Sequence, residues 1–236
     1  PHLLVFNERV RINGKMVDDQ TLIDAFATIE QARVDCGLTL SFFEMTTLAA
    51  FLIFAQNHCD VWVLEVGLGG RLDVVNVIEP NLAVITNVGI DHVEWLGDTR
   101  EKIAAEKAGI LRDNITLVYG ETDMPSTIPP LIAKHHAHLL QYGKDYGYRH
   151  IDGAATWQYS NNAVTLSLPI PNLSLHNTAT AITALLASPL IITQNHIQAA
   201  LPKVKLAGRF DSRRMSARQW VFDVAHNEHG MQFLLK

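Results

Sequence analysis

An α/β fold built on a doubly wound, mostly parallel sheet, with a small antiparallel edge, is predicted by three observations. Short apolar runs alternate with helix-period segments along most of the chain. The runs Val61–Glu65, Leu82–Thr86 and Ile115–Tyr119 are near-continuously apolar, as strands buried on both faces of a parallel sheet are. The first of them ends in Glu65 and enters a turn containing Gly67, Gly69 and Gly70, where the backbone can bend sharply. A carboxylate at a strand end beside a glycine loop is where open α/β sheets hold ligands. A second reading also fits, a solvated acid on a tight strand-to-helix turn.

Taken in order, Leu3–Phe6 and Arg9–Ile12 are strand-like, and Asn13-Gly14 signals a hairpin before Lys15–Val17. Asp18 or Asp19 caps a helix to about Asp35, with Leu22, Ile23, Phe26, Ile29 and Ala32 at helical spacing. Cys36-Gly37 ends it. Ser41–Glu44 reads as a short link, and Met45 to about Gln56 as a buried helix, apolar nearly all round. After Leu82–Thr86, Thr99 caps a helix to about Ala108 that closes at Gly109. A strand at Ile115–Tyr119, a helix near Ile128–His138 and a strand near Leu139–Tyr142 follow. Short alternating strands near 146–150, 156–159 and 164–168 form the antiparallel edge, before helices near 175–187 and 194–201. Lys203–Arg218 is polar and basic and reads as a linker, and Val221–Val224 starts a new strand. The expected division is therefore 1–209 as a central domain, 210–219 as linker and 220–236 as the start of a second α/β domain.

The 236 residues are 48% hydrophobic and 18% charged, which suits a substantial core rather than disorder. A net charge of -5 leaves no basic footprint for nucleic acid. No apolar run approaches the ~18 residues of a membrane span. Cys36 and Cys59 form no disulfide framework, so a reduced, cytoplasmic chain is expected. The sequence opens on Pro1 rather than Met and stops at Lys236 inside a helix-like stretch, so a fragment of a longer protein is expected.

Several residues are candidates for chemistry. Glu65 ends one strand, and Asp91-His92 follow the end of another. Neighbouring parallel strand ends point the same way, which would bring these groups to one crevice. Glu plus His is a plausible hard-cation site, although Mg²⁺ prefers oxygen and retains waters. By spacing alone His92 reads as a surface or capping histidine, Asp91 as a turn residue and Lys107 as a helix C-terminal lysine. Phe42, Phe43 and Trp95 can stack on a planar ligand or fill a core. Gly67-x-Gly69 resembles the start of GxGxxG, but Leu72 occupies the third glycine position, which argues against a dinucleotide site. Asp223–Asn227 place an acid at a strand end before groups able to meet a phosphate or ribose, or simply a helix cap.

Together these motifs resemble a known family. Pro1-His2-Leu3, Phe43-Glu44, LEVGLGGRLD at 64–73, Ile90-Asp91-His92, Glu106–Ile110, Gly208-Arg209-Phe210 and DVAHN at 223–227 stand in the order and spacing of the dihydrofolate synthase/folylpolyglutamate synthase family, of the Mur ligase superfamily. The resemblance covers essentially the whole chain. It implies the central ATPase-type domain of those ligases and an ATP-dependent ligase, cytoplasmic and monomeric. Its substrates would be dihydropteroate or folates and L-glutamate, joined through an acyl phosphate with ATP and Mg²⁺. It also implies residue roles: Glu65 and His92 as magnesium ligands, and Lys107 as a carbamylated lysine holding a second Mg²⁺. Ser41, Phe42, Phe43, Glu44, Leu72, Asp73 and Val74 would line the pterin. Asn177, Arg209 and Asp223 would contact ATP, with His226 and Asn227 beside the nucleotide.

Three departures stand out. The family's Walker A loop and its magnesium-binding serine fall before Pro1, and most of its C-terminal domain falls after Lys236. Glu228 replaces the proline that usually follows AHN. The expectation is that these 236 residues alone have negligible ligase activity. The competing readings are a Mur-type ligase acting on a cell-wall precursor and a non-catalytic remnant.

Overall fold

The computed structural model describes residues 2–225 apart from Asp152 and Ala154, together with Met231. The chain divides into two compact units, Pro1–Ile78 and Glu79–Lys236.

In the first unit, a 3-10 turn at Phe6–Arg9 precedes a hairpin of β1 (Arg11–Ile12) and β2 (Lys15–Met16). Asn13 and Gly14 both take positive φ at its tip, which suits an Asn-Gly pair. Leu3–Phe6 is not the expected strand. The Glu8 carboxylate accepts the backbone N–H groups of Leu3, Leu4 and Val5 at 2.9, 2.9 and 3.1 Å. Donors satisfied by one side chain are no longer available to a ladder. Those bonds hold the Glu8 pKa down to about 2.

Helix α1 (Asp19–Asp35) starts as expected, with the Asp18 side chain accepting the Thr21 N–H. Helix α2 (Phe42–Gln56) starts three residues before the expected Met45. Ser41–Glu44 is therefore the helix start rather than a link. The Ser41 hydroxyl accepts the Glu44 N–H at 3.3 Å and Glu44 accepts the Ser41 N–H at 2.7 Å, a reciprocal capping box. Leu22, Ala25, Ala49, Ile53 and Val10 form the buried core of this unit.

Val61–Glu65 is a correction. The segment belongs to no sheet among the described residues, and its side chains alternate between exposed and half-buried. Val63 is 89% exposed. One side is covered because Trp62 stacks on Phe51 and tilts against Phe54 of α2, with ring centroids 5.9 and 5.6 Å apart. The apolar run is an extended segment laid on a helix, so it reads like a buried strand from composition alone.

The second unit runs β3 (Leu82–Ile85), α3 (Val93–Leu96), α4 (Arg100–Ala108), β4 (Thr116–Tyr119), α5 (Ile128–Lys134) and β5 (His138–Gln141). It continues through β6 (Tyr146–His150), β7 (Thr156–Asn161), β8 (Thr165–Pro169), α6 (Leu175–Ala187), α7 (Gln194–Ala200), β9 (Asp211–Met215) and β10 (Arg218–Phe222). Strands β3, β4 and β5 form a parallel sheet in that order, with Leu82 opposite Thr116 and Thr116 opposite His138. Leu117 and Tyr119 pack into a core with Ile103, Ala104 and Ile128 from α4 and α5. Val118, pointing the other way, packs with Trp157, Tyr159, Leu168 and Ile182 from β7, β8 and α6. A parallel strand covered on both faces is what an α/β fold requires. Strands β6, β7 and β8 are the antiparallel part.

Within the stretch read as a linker and the start of a new strand, β9 and β10 pair as an antiparallel hairpin. Its side chains are nearly all exposed, so its composition resembles a linker. Across the strands the Arg213 guanidinium lies 5.8 Å from the Phe222 ring centroid, and within β9 it lies 2.7 Å from Asp211. Among the described residues no helix is long and apolar enough to cross a membrane.

Candidate functional site

In the first unit the glycine loop is tied by one side chain. Asp73 Oδ2 accepts the N–H groups of Gly67 and Leu68, and Oδ1 accepts that of Val75, each at 2.9 Å. A carboxylate bridging three amides fixes the loop's shape without a metal or ligand. The Phe43 ring closes on the same loop, since a Cβ on Gly67 would lie 2.4 Å from its Cζ. Phe43 and Asp73 thus bring the start of α2 and the Leu72–Val74 turn together. Phe42 is 64% and Leu72 79% exposed, so apolar surface is presented beside the loop. Glu65 is exposed. Among the described residues Val61–Glu65 is not a strand of the parallel sheet, so Glu65 does not stand at one of that sheet's strand ends.

In the second unit, the turn after β3 carries Asp91 and His92. The Asp91 carboxylate accepts the His92 N–H at 2.8 Å, and His92 takes a left-handed φ of 50°, uncommon outside glycine. Its imidazole is exposed and makes no cap to α3. Lys107 lies in the last turn of α4. Burial pulls its pKa below the usual lysine value, and the Asp91 charge pulls partly back. The helix-end lysine is therefore a partly desolvated amine within the field of a carboxylate.

The end of β4 is the most crowded point. Gly120 N–H donates to Ile85 O at 2.9 Å, and a Cβ there would lie 2.2 Å from Thr86 O. The Gly120 carbonyl meets His176 Nε2 at close range. That contact pins the first turn of α6 to β4, and the His176 ring meets Tyr142 edge-on with centroids 4.3 Å apart. Asn177 follows, exposed, its N–H 3.2 Å from the Ser174 hydroxyl that caps the helix. Reasoning from sequence missed His176; its immediate precedence of Asn177 behind a serine cap was the available signal.

Arg209 and Asp223 are also brought together. Asp223 Oδ2 accepts the Phe210 N–H at 2.7 Å, Oδ1 accepts the Ala225 N–H at 2.8 Å, and Val224 N–H donates to Gly208 O at 2.9 Å. The Gly208–Phe210 motif is thus tied to the residues that follow β10. The Arg209 side chain is exposed. His226 and Asn227 lie outside the described residues.

Among the described residues no three His, Cys, Asp or Glu side chains cluster as a ready-made metal cage. The donor set suits a different use. Mg²⁺ is commonly held by one or two carboxylates with the remaining positions filled by phosphate oxygens and water. In the second unit, the Asp91 carboxylate, the exposed His92 imidazole and the partly desolvated Lys107 amine would suit such a partial set rather than a closed cage.

A family model described as the Mur ligase middle domain matches residues 14–187. The chain belongs to the Mur ligase middle-domain family. It is 42% identical over 235 residues to the dihydrofolate synthase/folylpolyglutamate synthase of Escherichia coli K12, covering 99% of this chain and 54% of that relative. It is 38% identical over 250 residues to the Haemophilus influenzae protein of the same name, covering 99% of this chain and 56% of the relative. Among solved structures, E. coli FolC in complex with DHPP and ADP superposes with a TM-score of 0.93 at 41% identity, covering 99% of this chain and 56% of that one. The Yersinia pestis bifunctional enzyme complexed with AMPPNP and Mn ion gives 0.92 at 38% identity, covering 100% and 56%. This Mur ligase middle domain spans about half the length of the relatives it matches.

Proposed function

We propose that this chain is part of an ATP-dependent ligase that adds L-glutamate to dihydropteroate or to folates. The observation that carries the reading is the partly buried Lys107 within the field of Asp91, in a chain 42% identical to a dihydrofolate synthase/folylpolyglutamate synthase. The substrate carboxylate attacks the γ-phosphorus of ATP and ADP leaves. The glutamate amine then attacks the acyl carbon, phosphate leaves, and the amine's proton is released. Activation is needed because a carboxylate is a poor electrophile, and positioning of the reactants supplies much of the rate.

Within this reading Ser41, Phe42, Phe43, Glu44, Leu72, Asp73 and Val74 form the pterin face. Asp73 and the Ser41–Glu44 pair act by shaping backbone, while Phe42 and Leu72 offer contact area. Asn177, Arg209, Asp223, His226 and Asn227 attend the nucleotide. Glu65, His92 and Lys107 attend Mg²⁺, which when bound supplies positive charge against the developing phosphate charge. A lysine amine must be neutral to take up CO₂ as a carbamate, and burial of Lys107 favours that form. The division into a central domain at 1–209, a linker at 210–219 and a second domain from 220, and residence in the cytoplasm, belong to the same reading.

The test is an assay of the full-length protein with ATP, L-glutamate and dihydropteroate bearing ¹⁸O in its carboxylate. The expected result is glutamate-dependent ADP release with one ¹⁸O in the phosphate produced. Turnover with a cell-wall nucleotide precursor and none with dihydropteroate would refute the substrate assignment. For Lys107, activity lost in Lys107→Ala and restored by a short carboxylic acid is expected.

A further inference from the structure

Val88 is buried, 2% exposed, between the end of β3 and the turn that carries Asp91 and His92. It lies past the last ladder pair, Ile85 opposite Tyr119, so β4 does not pair with it. A buried backbone N–H and C=O must still find partners. Both find charged ones. Glu121 Oε2 accepts the Val88 N–H at 3.0 Å, and Arg100 Nε donates to the Val88 carbonyl at 2.8 Å. The guanidinium is itself held, with Nη2 3.6 Å from Glu121 and Nη1 2.5 Å from Asp123.

We propose that Arg100 and Glu121 are positioning residues for the Asp91–His92 turn, acting through the backbone of Val88. The geometry has a second consequence. Arg100 is the first residue of α4 and Lys107 sits two turns further along the same helix, about 10 Å along its axis. The side chain that grips the turn therefore also anchors the helix that presents Lys107. One clamp sets Asp91 and His92 against Lys107. Charge-assisted bonds are stronger than neutral ones, and loss of either partner leaves a buried peptide group unmet. The proposal rests on the reading that His92 and Lys107 serve the metal and phosphate end of a ligase.

The test uses the full-length protein and reads its Mn²⁺ requirement in two ways: Mn²⁺ binding without turnover, followed by electron paramagnetic resonance in the presence of a non-hydrolysable ATP analogue, and the Mn²⁺ concentration giving half-maximal glutamate-dependent ATP turnover. Arg100→Ala, Glu121→Gln and His92→Ala are compared with the unaltered protein. The expected result for Arg100→Ala is a Mn²⁺ requirement raised by about tenfold or more, with the KM for dihydropteroate changed by less than about twofold. Added guanidinium ion is expected to restore much of the requirement in Arg100→Ala, which a general loss of folding would not allow. Glu121→Gln keeps an acceptor oxygen for Val88 but loses the charge beside Arg100, so a smaller increase is expected; it carries the test if Arg100→Ala does not fold. An unchanged Mn²⁺ requirement in folded Arg100→Ala or in Glu121→Gln, alongside a raised one in His92→Ala, would overturn the clamp and leave the ligase reading standing. An unchanged requirement in His92→Ala would overturn both.

Discussion

At the scale of single residues, two glycines are crowded for different reasons, and the difference predicts different outcomes. A Cβ on Gly120 would meet the Thr86 carbonyl oxygen at 2.2 Å, and that oxygen is part of the backbone leaving β3. Relief requires moving either that strand end, where Ile85 O accepts the Gly120 N–H, or Gly120 itself, whose carbonyl meets His176. A Cβ on Gly67 would meet the far edge of the Phe43 ring at 2.4 Å, and a side chain can swing. Gly120→Ala is therefore expected to lower stability by about 1–3 kcal/mol or more, and Gly67→Ala by less, as overpacking costs depend on what must move. Thermal melts of the two variants check the order. Gly67→Ala is also expected to raise the KM for dihydropteroate in the full-length protein if the displaced ring belongs to the proposed pterin face. Equal destabilisation with no change in KM would separate Phe43 from that face.

At the scale of elements, what fixes each helix is mostly local, and what fixes each strand is mostly not. The starts of α1 and α4 are legible because Asp18 and Thr99 accept the amides three residues on. Ser41 and Glu44 carry the same kind of local signal, S-x-x-E, and reading them as a link overlooked it. The hairpin β9–β10 and the extended run at 61–65 depend on neighbours distant in sequence, which composition does not reveal. The same limit applies to the site. Asn177 and Asp223 stand on recognisable motifs, whereas the burial of Lys107 and the bond from Val88 to Glu121, 33 residues apart, exist only after folding. Helix α6 shows how such remote ties act. The Tyr146 hydroxyl donates to Tyr119 O at 3.1 Å and lies 3.0 Å from the Thr180 hydroxyl, joining β6, β4 and α6. Burial pushes its pKa up to about 12, so it remains a hydroxyl across the physiological range. Tyr119 O also accepts the Tyr142 N–H, and Thr180 also donates to His176 O. Tyr146→Phe therefore strands no buried group and is expected to cost about 0.5–1.5 kcal/mol, the net worth of one hydrogen bond. A urea denaturation midpoint measures it, and a loss well above that range would mean that α6 is repositioned.

At the scale of the whole molecule, each unit is organised around loops tied down by carboxylates: Asp73 and Glu8 in the first, Glu121 and Asp223 in the second. Side chains that hold loops in shape are the same acids that composition would assign to ligands or solvent. The parallel sheet of the second unit supplies the frame, and the Asp91–His92 turn stands beyond the end of β3. The extended run at 61–65 has a consequence of another kind. Its covered side is fixed by Trp62, while Val61 and Val63 face outward at 50% and 89% exposure. An extended, apolar segment without a ladder is a template for pairing between molecules. The 236-residue chain on its own is thus expected to self-associate as its concentration rises. Val63→Lys places a charge on that bare side and is expected to reduce self-association without altering the melting transition. Light scattering against concentration reads the first and a thermal melt the second. Handling of the polypeptide in solution is thereby governed by the stretch that most resembled its interior, a colloidal liability borne by one row of valines.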